Sequence, residues 1–295
     1  MFSGSDKLNN LIEETLVKFL EPEKDEYKVL SDSMVYSVKA GGKRVRPMLC
    51  MAFASLCGLS PENALYPACA VEYIHTYSLI HDDLPCMDND DMRRGKPSNH
   101  IAFGEDTALL AGDALQGKAF EALLSPENIE LIGYEAAAKC AYTLAKLSGA
   151  DGMVGGQVID LALENAEKAD ADTVSLMHSL KTAALIKSAC VMGCIAAGAD
   201  DEKIKAAETY AQCIGLQFQI VDDILDVTST TDVLGKPVNS DAENNKTNMV
   251  TLLGIDKCRE LACELTEKAK ASLAVFDSDT TSLKEFADSL LHRNK

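Results

Sequence analysis

The chain has 295 residues, of which 47% are hydrophobic and 25% charged, with a formal net charge of -18. Such a chain can bury a sizeable core, which excludes intrinsic disorder. Its acidity argues against nucleic acid or an anionic membrane surface as the main partner, so an anionic substrate would need a local basic patch and a metal ion.

Residues 1–10 are polar and lack a basic-then-apolar leader, and no uninterrupted apolar run approaches the ~20 residues of a membrane span. The expectation is a cytoplasmic chain without membrane insertion. Ten cysteines are scattered through apolar segments with no Cys-x-x-Cys pair, as buried reduced thiols would be.

No stretch alternates with period two for long enough to make a strand. Apolar residues instead recur at helical spacing through roughly 8–20, 26–40, 45–57, 62–84, 106–124, 129–148, 153–164, 172–197, 201–227, 249–275 and 281–292. Breakers such as Gly58-Leu59-Ser60-Pro61, Gly95-Lys96-Pro97-Ser98 and Ser125-Pro126-Glu127-Asn128 separate them. Ser60 and Ser125 each precede a proline and read as N-caps. The whole chain, 1–295, reads as one all-α domain whose short connections make consecutive helices antiparallel.

In chain order, the first chemistry-bearing segment is Gly41-Gly42-Lys43-Arg44-Val45-Arg46-Pro47, three cations beside a flexible glycine pair. The stretch 62–84 is apolar almost all round and should be central. Its polar residues Glu72, His75, Ser78 and Asp82 step by three, three and four, which is one line along one face. It closes in Asp82-Asp83-Leu84-Pro85-Cys86-Met87-Asp88. Asp82 and Asp88 do not share a regular helical face, so the chain around Pro85 must bend to bring Asp88 back. Arg93-Arg94-Gly95 follows, and Lys181-Thr182 lies on its own apolar helix.

In 201–227 the residues Gln212, Gly215, Gln219, Asp222 and Asp226 again form one line, ending in Asp222-Asp223-Ile224-Leu225-Asp226. Both acidic clusters stand at helix C-termini, where the helix dipole is also negative, so they are tolerable only with cations bound. Hard divalent ions and a phosphorylated substrate meet that need. The polar stretch 228–248, with Gly235-Lys236-Pro237 and Lys246, has no helical period and reads as a lid that orders over a bound anion, the alternative being a plain surface loop.

These segments, taken in order, resemble the trans-isoprenyl diphosphate synthases, specifically the bacterial-type farnesyl diphosphate synthases. The resemblance runs over nearly the whole chain and adds Gly155-Gly156-Gln157 to the motifs above. It implies a helical bundle around a deep central cavity, with the aspartate motifs facing each other across its mouth, assembled as a homodimer. It implies three Mg²⁺ ions, with Asp82 and Asp88 ligating two and Asp222 the third, and with Asp83, Asp223 and Asp226 acting directly or through metal-bound water. Arg93, Lys181, Lys236 and Lys246 would hold an allylic diphosphate. Lys43, Arg46, His75 and Arg94 would hold isopentenyl diphosphate, and Thr182 and Gln219 would turn oxygen dipoles to the nascent carbocation. Two departures stand out: Lys246 is followed by Thr247-Asn248-Met249 rather than Thr and an aromatic, and Ala183 takes the place of a frequent glycine.

The chemistry suits the residues. An allylic C–O bond ionises when metal ions and a Lys/Arg cluster absorb the departing charge, and apolar walls keep the cation from water. Tyr77 lies five residues before Asp82, ~7.5 Å down a helix, where its ring should block a growing chain. In the family that this chain resembles an aromatic here goes with the fifteen-carbon product. The resemblance therefore implies geranyl and farnesyl diphosphate as products, with Tyr77 and Ser78 as chain-length positions, and the alternatives are geranyl or geranylgeranyl diphosphate synthases. A class I terpene cyclase would share the metals but would not need a second diphosphate pocket. A di-iron bundle would need a second copy of Glu72-x-x-His75, which the sequence lacks. A non-catalytic regulatory subunit would typically lose motif aspartates, and both sets are complete.

Overall fold

A computed structural model describes residues 5–164, 166, 169–228 and 248–293. Among these the chain is helical nearly throughout. It runs α1 (Ser5–Lys18), α2 (Lys28–Val38), α3 (Val45–Leu56), α4 (Leu65–Asp82), α5 (Asn99–Phe103), α6 (Glu105–Leu123), α7 (Pro126–Ile132) and α8 (Tyr134–Ser148). It continues through α9 (Met153–Glu164), α10 (Ala171–His178), α11 (Ala184–Ala196), α12 (Asp201–Thr228), α13 (Met249–Leu253), α14 (Ile255–Ser272) and α15 (Thr281–Leu291). A π-helical turn, Ser179–Ala183, joins α10 to α11. The all-α reading holds, with one addition: a two-stranded antiparallel hairpin of Met92–Arg93 (β1) and Lys96–Pro97 (β2) just past the first aspartate cluster.

The helical stretches expected from periodicity are present, but several are subdivided. Expected 129–148 breaks at Gly133 and 249–275 at Gly254, both with positive φ (83° and 81°). A left-handed residue costs glycine nothing, so one helix ends and the next starts without disturbing the apolar face that set the period. The expected caps divide. Asn128 N–H donates to Ser125 Oγ at 3.2 Å, whereas Ser60 Oγ turns to Glu62 Oε2 at 2.5 Å and caps nothing.

As its all-round apolarity demands, α4 is central and packs on α3, α6 and α11. Twelve of its residues, Leu65 to Ile80, are buried, including Glu72. At the crossing of α3 and α11 a Cβ on Gly193 would collide with the Cys50 carbonyl, so this glycine sets the approach of the two helices. The helical run Ala171–Ala196 is long and apolar enough to cross a membrane, with 67% of its most apolar window buried in the fold. Lys181 and Lys187 interrupt that run in the sequence, which therefore did not read as a span; here it packs as a core helix on α3, α8 and α12. All ten cysteines are unpaired, most of them buried, but Cys86 and Cys263 are exposed.

The main core runs from Ile12 to Leu290 and surrounds α3, α4 and α11. A smaller apolar cluster of Val174, Met177, Ile220, Val221, Met249, Cys258 and Ala262 lies behind the end of α12. The two aspartate clusters are therefore mounted on different cores.

Candidate active site

The chain bends after α4 as its sequence requires. Asp88 N–H donates to the Asp82 carbonyl at 2.8 Å, Met87 N–H to Leu84 at 2.8 Å, and Asn89 takes the left-handed conformation (φ 53°). The loop thus folds Asp88 back over Asp82. Asp82 is half-buried and lines a cavity, and its carboxyl is raised to about 6 by burial, with Lys181 opposing and Asp88 adding to the shift. Two like charges in a partly dry mouth need a cation. Asp83 points elsewhere: it is buried and accepts from the Arg93 guanidinium, which also reaches Asp90 at 3.1 Å.

The second cluster divides its roles similarly. Asp223 is buried and accepts the Met249 N–H at 2.8 Å, tying α13 to α12. Asp226 is buried, and Asp222, more open, pairs with Arg293 at 2.5 Å. The polar line of α12 meets the π turn. Gln212 donates to Ser179 Oγ at 2.8 Å, Gly215 leaves room for Ala183, and Thr182 donates to Gln219 Oε1 at 3.0 Å. Gln219 in turn donates to Asp222 at 3.3 Å. Ala183 is thus accommodated by the glycine opposite it. A Cβ on Gly156 would collide with the Lys181 backbone, so the Gly155-Gly156-Gln157 motif lets α9 abut the π turn. Local π geometry of this kind is common at functional sites.

Two cavities meet at this point. The first, of about 550 Å³, is lined by Lys43, Arg46, His75, Arg94, Thr182, Phe218 and Arg293. The second, of about 490 Å³, descends from Asp82, Lys181 and Gln157 past Tyr77, Ser78 and His81 to Leu109, Met153 and Leu185. Arg46, His75 and Thr182 line both. Tyr77 is buried against His81, with ring centroids 5.6 Å apart, and burial pushes its phenol up to about 12.

The glycine-rich cationic segment sorts its charges by exposure. Arg44, in the left-handed region at φ 45°, turns inward to Glu72 (2.7 Å), Glu13 (2.6 Å) and the Val38 carbonyl (2.6 Å). It leaves Lys43 exposed and Arg46 facing the cavity. Arg94 packs on the glycine pair and donates to the Gly41 carbonyl; a Cβ on Gly42 would sit 2.8 Å from its guanidinium. Burial lowers the pKa of both Arg46 and Arg94. His75 is held well below its ordinary value by burial and then by Arg46, Arg94, Arg44 and Arg93 in turn, so it faces the cavity neutral. Buried Arg46 Nε and Gln157 Nε2 have no hydrogen-bond partner among the described residues. Arg46 lines the cationic cavity and Gln157 the second one, and orphaned donors at such positions are what an anion would satisfy.

Sequence reasoning therefore placed together Lys43, Arg46, His75 and Arg94 in one chamber, and Tyr77, Ser78, Asp82 and Lys181 in the other. Lys236 and Lys246, and all of the expected lid except Thr228 and Asn248, lie outside the described residues. Three partners were missed. Arg44 anchors the cationic segment, Asp160 accepts from Lys181 at 2.6 Å, and Arg293 pairs with Asp222 while stacking 4.0 Å over Phe218. Asp160 could have been found, because it lies one helical turn past Gly156 on the same face; Arg293 and Asp222 carry no such signal.

The donor set suits a hard cation. Among the described residues no three His, Cys, Asp or Glu side chains gather around one point. An ion here would take one or two carboxylates from a cluster and its remaining oxygens from water and phosphate, the habit of Mg²⁺.

The polyprenyl synthetase family model matches residues 27–282. The chain is 46% identical over 279 residues to a chloroplastic geranylgeranyl pyrophosphate synthase of Catharanthus roseus, covering 95% of this chain and 76% of that one. Among solved structures it superposes on an FPP/GFPP synthase from Zymomonas mobilis with TM-score 0.87 at 38% identity, covering 98% of each chain. It superposes on a geranylgeranyl pyrophosphate synthetase from Pyrococcus horikoshii with TM-score 0.88 at 32% identity, over 97% of this chain and 96% of that one.

Proposed function

The chain belongs to the polyprenyl synthetase family, and from that premise we propose that it condenses isopentenyl diphosphate head-to-tail with an allylic diphosphate. The observation that carries this reading is the pair of confluent cavities, one cationic, the other acidic at its mouth and apolar in its depth. The first suits the diphosphate of isopentenyl diphosphate, held by Lys43, Arg46 and Arg94, with neutral His75 as a hydrogen-bond donor. The second suits the allylic chain, its diphosphate held by Arg93 and Lys181, with Lys236 and Lys246 as further contacts. Junction residue Thr182 spends its only proton on Gln219, which leaves its lone pairs for an electron-poor carbon.

Asp82, Asp88 and Asp222 would ligate Mg²⁺, three ions in all, with Asp83, Asp223 and Asp226 supporting them from behind. Bound Mg²⁺ would supply charge neutralisation of the departing diphosphate. The buried apolar wall of Met153 and Leu185 keeps water from the cation.

Two observations bear on product length. The relatives named above as geranylgeranyl pyrophosphate synthases favour that product over farnesyl diphosphate. Tyr77, buried across the second cavity, favours farnesyl diphosphate. We propose geranylgeranyl diphosphate as the first reading and farnesyl diphosphate as the second. We also propose a homodimer through the exposed apolar residues of neighbouring α6, α8 and α9, namely Leu109, Leu110, Tyr134, Tyr142, Val154 and Val158.

The test is chromatography of products from labelled isopentenyl diphosphate and dimethylallyl diphosphate, with Mg²⁺ and with chelator. Elongated prenyl diphosphates formed only with the metal support the reading. A hydrocarbon made from a single prenyl diphosphate would replace it with a cyclase.

A further inference from the structure

We propose that Asp160 is a positioning residue: its carboxylate holds the Lys181 ammonium clear of Asp82 and Asp88 and fixes the line along which that ammonium meets the allylic diphosphate. This rests on the prenyltransferase reading and adds to it a carboxylate that belongs to neither aspartate cluster.

Lys181 Nζ donates to Asp160 Oδ2 at 2.6 Å, with side chains only 27% and 14% exposed. An ion pair this sheltered is screened less than a surface pair and is more than a chance contact. Its geometry is set by backbone. Asp160 lies one turn past Gly156 on α9, and Gly156 is the residue that lets α9 press against the π turn carrying Lys181. The distance between the two helical segments is therefore fixed, and the lysine stem has one short route to its partner.

The acid at the other end of the lysine's reach is Asp82, which lines the same cavity and whose ionisation Lys181 already favours. Without Asp160, the ammonium would move to the carboxylates that the metal needs. An internal cation in the first cluster would compete with the ion, and the same lysine would no longer point at the substrate. His178, buried beside the pair, is kept neutral chiefly by burial, with Asp160 favouring and Lys181 opposing its charge. His178 therefore supplies no cation there to replace Lys181.

The full chain with Asp160→Asn, Asp160→Glu, Lys181→Gln and the double change D160N/K181Q tests this. Mn²⁺ binding to the metal-free protein, read as free Mn²⁺ by electron paramagnetic resonance, should weaken about fivefold in D160N and recover in the double variant. In steady state D160N should lower kcat about tenfold and raise KM for the allylic substrate, with KM for isopentenyl diphosphate within about twofold of the parent. D160E should regain most of the rate. Mn²⁺ affinity and allylic KM unchanged in D160N overturn the proposal, as does an equal loss on both substrates with no recovery in D160E. If D160N does not fold, D160E and the double variant decide by the same readouts. A parent chain that makes no prenyl product overturns the activity, whereas the Mn²⁺ cycle reads the Asp160–Lys181 coupling by itself.

Discussion

The two aspartate clusters look alike in sequence and are mounted in opposite ways. The first is local. Its helix is embedded in the main core, its loop closes on itself through the Asp88–Asp82 bond, and Asp83 is tied to Arg93 a few residues on. The second is assembled from distant chain. Its helix end rests on the smaller core, Asp223 is tied to Met249, and Asp222 is tied to Arg293 near the last residues described. In both clusters one carboxylate builds the frame and another is more open: Asp82 lines the second cavity, and Asp222 pairs with Arg293, which lines the first. One motif can therefore rest on local geometry or on tertiary contacts, and the two differ in what disturbs them.

If the more open carboxylates of both clusters serve one metal-held diphosphate, Asp82→Asn and Asp222→Asn should cost alike. Each should lower kcat about 10³-fold at saturating Mg²⁺ while the protein stays folded, as measured by product formation and circular dichroism. A full rate in either variant would break the symmetry and leave that cluster structural. The first helix also carries the product floor, a task the second lacks. Tyr77→Ala should lengthen the main product by at least one isoprene unit, whereas Phe218→Ala, across the other chamber, should alter KM for isopentenyl diphosphate and not product length. Unchanged products in Tyr77→Ala would move the floor elsewhere.

The clusters' surroundings also differ in their response to acid. Asp82, with its carboxyl raised to about 6 from 3.8, binds a proton more tightly folded than unfolded. Its contribution is complete below pH 3.8 and is lost as pH rises through about 6. In metal-free protein at pH 8, Asp82→Asn should therefore raise stability by ~1–2 kcal/mol, discounted because the group is only partly buried, and at pH 4 by much less. His178, beside the smaller core, has the opposite sign: lowered to about 4 by burial, it loses stability as pH falls from 6.5 towards 4. His178→Gln should flatten that acid limb by ~1–2 kcal/mol. Chemical denaturation of metal-free protein at pH 4, 6 and 8 measures both, and equal slopes in parent and variants would refute the assignment.

What the sequence made legible follows from range. Helix faces repeat every few residues, so the line Glu72, His75, Ser78, Asp82 and the line Gln212, Gly215, Gln219, Asp222 were visible, and both meet cavity or partner as expected. The bend that returns Asp88 to Asp82 was visible because Pro85 and the broken spacing lie inside one loop. The breaks at Gly133 and Gly254 were not, because the apolar period continues through them. Nor was the failure of Ser60 to cap, since Glu62 two residues away takes its hydroxyl. The pairs Asp223–Met249 and Asp222–Arg293 join segments that only tertiary packing brings together, so no spacing announces them. The first cluster was legible because it is local, and the partners of the second were hidden because it is not.

The smallest effect probes that difference most directly. Arg293 gives Asp222 a positive partner at 2.5 Å, is anchored by the Phe218 carbonyl at 2.7 Å, and stacks on that residue's ring. A cation on Asp222 competes with Mg²⁺ for the same oxygens, and burial, which lowers this arginine's pKa, makes the pair costly to leave half-broken. Arg293→Gln keeps a donor for the Phe218 carbonyl but removes the charge. It should lower the Mg²⁺ concentration for half-maximal rate about threefold. Arg293→Lys keeps the charge and should leave it unchanged. In the first cluster the arginine is local and binds Asp83 and Asp90, neither of them the cavity-lining Asp82, while the distant cation that favours Asp82's charge, Lys181, is held by Asp160. Replacing Arg93 by Gln should therefore raise KM for the allylic substrate rather than ease metal entry. If Arg293→Gln instead raises the Mg²⁺ requirement, the arginine supports the metal site rather than competing with it, and the second cluster is as self-sufficient as the first.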